Sequence, residues 1–444
     1  MNVASNNLTM PVRPRFQSKP LYSANGTVII WLRFILGSWG FTLVLHELDI
    51  GGKWMPVSVS TWLFILGWVA LFATSYLASH QTAQATQKVT VTQIVKPAAT
   101  AMILMSISAF GAALVIFDFS VLRGYGFSTS AALIRALEVD AAVKGLNSSS
   151  AISGAGRLML PALLPALVLL IFNPRNLSPR QKAVAAFFGI VLLYEQLFFE
   201  GGRFFLAVSA VIALITYFTH LRRTHGSMKL NISAKTILLI LVGGILMLTF
   251  FSYVFVTRIA ERDDFFWSAY RGFTSYFAID VEVSVIARFE GFFGSIWFSL
   301  SMLWLYATQG INEIDAVFGL SSFNHAHGLY QFPHFGQIAQ MVFGIEWRYD
   351  MIANLPTTGT YLTMPGANYV DFGLTGMFVS AFVFGGYSAW SIQRFASGHQ
   401  TGLALCGPIL IAVALFSPVV SLFTTVWPAF FWCAVYNLIR SGRG

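Results

Sequence analysis

The residues of this chain whose types and spacing could do chemistry are a few arginines, a histidine cluster and scattered carboxylates. Arg203 follows Gly201 and Gly202 in FFEGGRFF, a two-glycine turn between two apolar runs. Glycines let backbone N–H groups come close to a phosphate, and a helix N-terminus beside them adds a positive dipole end. An arginine there is suited to an anionic group at a membrane surface. It is equally suited to a snorkelling pair with Glu195 or Glu200. Arg271, in WSAYRGFTSYF, is surrounded by aromatic residues and has no adjacent acid. Arginine grips phosphate through a planar fork, and aromatic faces such as that of Tyr270 suit sugar rings or a membrane-interface belt. Arg288 and Arg348 complete this set. Arg348 lies between Glu346 and Asp350, and Arg258 and Arg262 lie beside Glu261, Asp263 and Asp264. For these three, ion pairing is the simpler reading. NHAHGLYQFPHF gathers His325, His327 and His334. No further ligand set accompanies the His-x-His pair, so a general base or a sugar contact is expected rather than a metal. Asp280, Glu282 and Glu290 are the competing carboxylates. Asp371, in NYVDFGLTG, opens an apolar run, where a carboxylate must be paired, wet or capping a helix.

The elements that must position these groups follow from composition. The 444 residues are 56% hydrophobic and 10% charged, with a mean hydropathy of +0.68. Soluble domains carry roughly 25% charge, so a water-soluble globule is excluded. Apolar runs predict helices near 27–46, 57–79, 98–118, 158–172, 183–199, 203–220, 236–257, 369–390, 403–417 and 418–437. Their length and lack of alternation favour helices over barrel strands. The fold class expected is all-α, a polytopic membrane protein of about 10 (10–12) transmembrane helices.

The net charge of +9 would suggest nucleic acid in a soluble protein, but the placement of the charges argues otherwise. Fifteen of the 27 Lys and Arg residues fall in the tail 1–26, in loops 80–97, 173–182, 221–235 and 391–402, and at the C-terminus. None of the 18 acids does. The positive-inside rule then places both termini in the cytosol and 258–368 on the outer face. The apolar stretch 291–308 within it cannot be a lone crossing. It is re-entrant, lies along the surface, or pairs with a second weak crossing. A second outer segment, 120–157, has the pattern of a surface helix near 128–145. Cys406 and Cys433 lie in apolar runs and read as packing residues. No P-loop, HExxH or Gly-x-Ser-x-Gly pattern occurs.

Three stretches together resemble the Wzy-type O-antigen, or oligosaccharide repeat unit, polymerases of bacterial inner membranes. They are GGRFFLAVSAVIAL, YRGFTSYFAIDVEVSVIARFEGFFG and PTTGTYLTMPGANYVDFGLTGMFVSAFVFGG; the last carries Asp371, Phe372, Gly373 and Gly376. The resemblance covers roughly 200–390. It implies a GT-C-like membrane glycosyltransferase that moves a growing glycan from undecaprenyl pyrophosphate onto a new lipid-linked repeat unit at the periplasmic face. No cofactor or metal is implied, because the donor is already activated. Arg203, Arg271, Arg288 and Arg348 are the expected pyrophosphate ligands, with Tyr270 and Asp371 contacting substrate. Glu290, Asp280, His325 and His327 compete for the base. The partners implied are lipid-linked oligosaccharide, membrane lipid, a chain-length regulator and a flippase, with no nucleic acid. The alternatives are an O-antigen ligase and a polysaccharide or lipid transporter.

Overall fold

A computed structural model describes residues 24–85, 97–125, 151–172, 178–198, 203–225, 266–276, 279–290, 293–320, 324–332 and 362–441. The expected span 236–257, the expected surface helix near 128–145, the Gly201–Gly202 turn, Arg258, Arg262, His334 and Arg348 lie outside them. The described residues are helical. Their only β-type pairing is one isolated bridge between Lys53 and Asp280.

In chain order the helices are α1 (Ala24–Glu47), α2 (Val59–Ala85), α3 (Pro97–Phe117), α4 (Ala151–Met159), α5 (Leu163–Phe172), α6 (Pro179–Phe198) and α7 (Arg203–His225). They continue with α8 (Phe266–Tyr276), α9 (Val283–Ala287), α10 (Gly294–Phe318), α11 (Met364–Ala396), α12 (Gly402–Phe416) and α13 (Phe423–Ser441). A π-turn, Asp118–Leu122, extends α3, and a 3-10 turn, Leu160–Ala162, joins α4 to α5. Six segments among the described residues are long and apolar enough to cross a membrane: Gly26–Glu47, Val59–Thr82, Ala98–Leu122, Ala151–Phe172, Phe205–Thr224 and Met364–Ala396. Gly402–Phe416 and Thr425–Ile439 are apolar but shorter. The run expected at 183–199 is the helix α6, which also carries Arg180, Lys182 and a buried Glu195. The protein is therefore an all-α, polytopic membrane protein. Its large exposed side chains, among them Phe41, Leu63, Phe187, Phe382 and Leu438, are apolar, as lipid-facing surfaces require.

α11 is the longest of the described helices and packs along α2. Phe384-Gly385-Gly386 permits the approach, because a Cβ on Gly385 would collide with the Phe72 carbonyl. Ser75 on α2 donates its hydroxyl to the Phe382 carbonyl across the same contact. α11 begins five residues before the run expected at 369. Thr363 caps it by accepting from the Gly366 N–H, and Pro365 sits in its first turn. A side-chain oxygen at N-cap and a proline just inside the start are the local chemistry that begins a helix. Asp371 therefore lies inside the helix and is not its cap.

α10 has 25 residues, longer than the stretch expected at 291–308. It crosses one end of the α1–α2 pair rather than running beside it. Trp304 donates to the Leu45 carbonyl (2.8 Å), Trp54 donates to Thr308 (3.1 Å), and Asn312 meets His46 (2.7 Å). Asp315 accepts from Ser58 and Thr61 (2.6 Å each). A helix descending alongside α1 would meet residues one turn further down α1 with each of its own turns. Here about 16 Å of α10, at 1.5 Å per residue, stays against the same end.

Candidate functional site

The sequence candidates that the structure describes fall into two groups at opposite ends of α10. The first surrounds a break in α11. Gly373 adopts φ 68° and ψ −171°, outside helical geometry. Only glycine takes that backbone without strain. The break deprives carbonyls one turn earlier of their usual i+4 partners, and segment 324–332 supplies replacements. Ala326 N–H donates to the Val370 carbonyl (2.9 Å) and His327 N–H to the Asp371 carbonyl (2.8 Å). The Asp371 carboxylate then accepts from Tyr330 N–H (2.8 Å) and Gln331 N–H (3.0 Å). Asp371 is fully buried. A carboxylate tolerates burial when charge-assisted hydrogen bonds replace its water, and these amides supply that. The segment turns tightly, with φ 50° at His327 and 91° at Gly328.

Both loop histidines are held here. The His325 ring stands edge-on to Tyr369, with centroids 5.6 Å apart, and a Cβ on Gly373 would come within 2.8 Å of His325 Nε2. His327 is exposed. Burial pushes the Tyr330 hydroxyl above its ordinary pKa, and the charges of Asp371 and Glu313 add to the effect, so the phenol stays neutral. Among the described residues no three His, Cys, Asp or Glu side chains gather in a metal-binding group.

Three polar residues that the sequence alone did not single out extend this group inward. Ser421 donates to Gln331 Oε1 (3.0 Å), and Gln331 Nε2 donates to Asn368 Oδ1 (2.8 Å). Asn368 precedes Asp371 by three residues, so the two share one face of α11. That spacing was the only sequence signal for it. The chain of amides borders a cavity of about 350 Å³ between α11, α12 and α13. Gln331 and Asn368 stand at one end and Asn437 at the other, with apolar side chains such as Phe384, Leu410 and Phe430 between them. Phe372, Val383 and Leu403 line it and are also exposed, so it opens sideways on the apolar surface.

The second group caps the far end of α10. Tyr270 is fully buried, donates its hydroxyl to the Gly51 carbonyl (2.7 Å), and packs edge-on against Phe289 (5.1 Å). Its ring is a core element of the cap and faces no surface, and burial pushes its hydroxyl above the ordinary range. Asp280 is exposed and bridges Lys53 through backbone bonds of 2.8 and 3.0 Å. Glu282 accepts from Ser284 (3.1 Å), and Glu290 is exposed. Arg271 and Arg288 are exposed over aromatic faces, 6.0 Å from Trp267 and 5.4 Å from Trp297.

Arg203 is the first residue of α7, and its side chain lies outside the described part of the structure. Arg348 does so altogether. The structure thus brings His325, His327 and Asp371 together. It places Asp280, Glu290, Arg271 and Arg288 elsewhere: Arg288 lies over Trp297 at one end of α10 and Tyr369 meets Phe318 at the other, about 31 Å away at 1.5 Å per residue, while Asp280 pairs with Lys53, beside the Trp54 that reaches Thr308. No family model, curated protein or solved structure matches the chain.

Proposed function

We propose that the protein is a membrane glycosyltransferase that polymerises glycan repeat units carried on undecaprenyl pyrophosphate, at the outer face of a bacterial inner membrane. The observation that carries this reading is the form taken by Asp371-Phe372-Gly373, the part of the sequence that most resembles repeat unit polymerases. These residues make the break in α11, the histidine-bearing segment is bonded to it, and a lengthwise apolar cavity starts beside it. A lipid-linked substrate needs such a junction of polar loop and apolar channel.

The reaction breaks the bond between the anomeric carbon of the donor glycan and its pyrophosphate. A new bond forms from that carbon to an acceptor hydroxyl oxygen, whose proton passes to a base, and the pyrophosphate leaves with its charge. His325 and His327 lie on the segment that is bonded to the break and lines the cavity through Gln331 and Phe332, so they take precedence over Asp280 and Glu290 as the base. Neutralising the leaving group as it separates calls for an arginine beside the histidines, a role left to Arg203 and Arg348; Arg271 and Arg288, at the other end of α10, draw the anionic substrate to the outer segment. Activated donors make nucleotides and metals unnecessary. Capsule or exopolysaccharide polymerisation would use the same chemistry.

An interrupted membrane helix with a buried carboxylate also favours a second reading, a transporter of lipid-linked glycan. Deleting the gene and examining surface glycan on a gel separates the two. Wild type gives a ladder, and loss of a polymerase leaves core plus one repeat. Loss of a transporter, or of a ligase, leaves no repeat on the core, and that result would overturn the proposal.

A further inference from the structure

Cys406 and Cys433 are the only cysteines of the chain, and the fold brings them together. α12 and α13 form an antiparallel hairpin. At its open end the two backbones nearly touch: a Cβ on Gly402 would collide with the Cys433 carbonyl, and Gly402 N–H donates to Asn437 Oδ1 (2.6 Å). Cys406 lies one turn from Gly402, and Cys433 one turn from Asn437, so the two cysteines share this contact. Their thiols meet in a side-chain hydrogen bond. Both are buried, and neither is bridged.

Packed helices usually stand about 8–10 Å apart. A disulfide needs Cα atoms within about 7 Å and Cβ atoms turned toward each other. The bare α-carbon of Gly402 gives the closer approach, and the contact between the thiols gives the orientation. The same end of the hairpin is weakly tied otherwise. Pro408 lies inside α12 and Pro428 inside α13, and each removes a backbone hydrogen bond between the cysteine-bearing end and the turn that joins the helices. Both cysteines also belong to the lining of the cavity between α11, α12 and α13. Leu403, three residues before Cys406, lines it too and is exposed on the apolar surface, which gives an apolar reagent a way in from the side.

We propose that Cys406 and Cys433 are a redox-modification site, a thiol pair that a hydroperoxide from the membrane closes to a disulfide, locking the open end of the α12–α13 hairpin. One sulfur takes the hydroxyl of the hydroperoxide and becomes a sulfenic acid, and an alcohol leaves with that thiol's proton. The other sulfur then attacks the sulfenic acid, and water leaves with the second proton. The O–O bond breaks, the S–S bond forms, and two electrons pass from sulfur to oxygen. The lock ties together two of the three helices around the cavity, and a reducing thiol reopens it. It stands independently of the glycosyl transfer proposed above.

The test uses the full chain purified in detergent, with cumene hydroperoxide as the apolar oxidant. After treatment the protein is denatured, remaining thiols are blocked with N-ethylmaleimide, and the intact mass is measured. The expected product is a monomer that has lost two hydrogens and takes up no N-ethylmaleimide until it is reduced. Digestion should give one joined peptide carrying Cys406 and Cys433. The thermal unfolding midpoint of the oxidised protein should rise by about 5 °C, as a cross-link closing a loop of this length implies, and dithiothreitol should reverse the rise. Cys433→Ser should show neither the joined peptide nor the rise. Should that variant fail to fold, Cys406→Ser serves in its place. Two free thiols remaining in excess oxidant, separate oxidation of the two sulfurs to sulfinic acid, or a disulfide-linked dimer would each overturn the proposal. So would a joined peptide with an unchanged midpoint.

Discussion

The break in α11 and the cap at the far end of α10 treat their charged groups in opposite ways. At the break, Asp371 is fully buried and its oxygens are held by backbone N–H groups of one short segment. At the cap, Arg271, Arg288, Asp280 and Glu290 are exposed, and the buried group is an aromatic ring, Tyr270. A buried carboxylate bonded to backbone cannot be exchanged without moving the segment that holds it. An exposed guanidinium over an indole can turn toward a ligand at little cost. The break is therefore the rigid, organising region, and the cap is the region whose charges are available.

Substitutions can break or sharpen that contrast. Asp371→Leu should have the largest effect. It leaves two N–H donors without acceptors, a cost of about 2–6 kcal/mol at roughly 1–3 kcal/mol for a buried group left unsatisfied. Thermal unfolding in detergent should show a clearly lowered midpoint, and Asp371→Asn, which keeps one acceptor, should fall between. Gly373→Ala should come next. It forces a Cβ into a left-handed backbone, at about 1–2 kcal/mol, and against the His325 ring, so the midpoint and glycan extension should both drop. Tyr270→Phe loses one hydrogen bond, to Gly51, and should lower the midpoint by about 1 kcal/mol equivalent with extension retained. Arg271→Ala and Arg288→Ala should be the mildest for stability, since exposed cation–aromatic pairs contribute about 0.5–1 kcal/mol. Their effect should appear in extension, as should that of Arg203→Ala, with protein abundance unchanged. If the arginine variants unfold the protein while Asp371→Leu leaves it intact, the contrast between the two regions is reversed.

The long apolar helices among the described residues were legible in the sequence because apolar runs of membrane length have few other uses. The boundaries failed where polar residues do structural work. α11 begins at Met364 because Thr363 and Pro365 start it, although hydropathy rises only later. α10 runs on past 308 through Gln309, Asn312, Glu313 and Asp315, which look like loop residues. Asn312 meets His46, and Asp315 meets Ser58 and Thr61. At the site, Asp371 and the loop histidines stood out by type. Their meeting did not, because it is made by backbone N–H groups of 326, 327, 330 and 331, which every sequence possesses. Gln331 and Ser421 lie 90 residues apart in the chain, and no spacing rule joins them. Tyr270 read as a surface aromatic because its neighbours are aromatic, yet the same composition builds a buried cluster with Phe289 and Phe298.

The most direct test of the central claim is reconstitution. The purified protein would be placed in liposomes with undecaprenyl-pyrophosphate-linked repeat units, with no nucleotide and no divalent metal. A glycan polymerase should yield a ladder of lengthening lipid-linked glycans and one free undecaprenyl pyrophosphate released for each bond formed. Repeat units recovered unchanged in length, on either side of the bilayer, would contradict it.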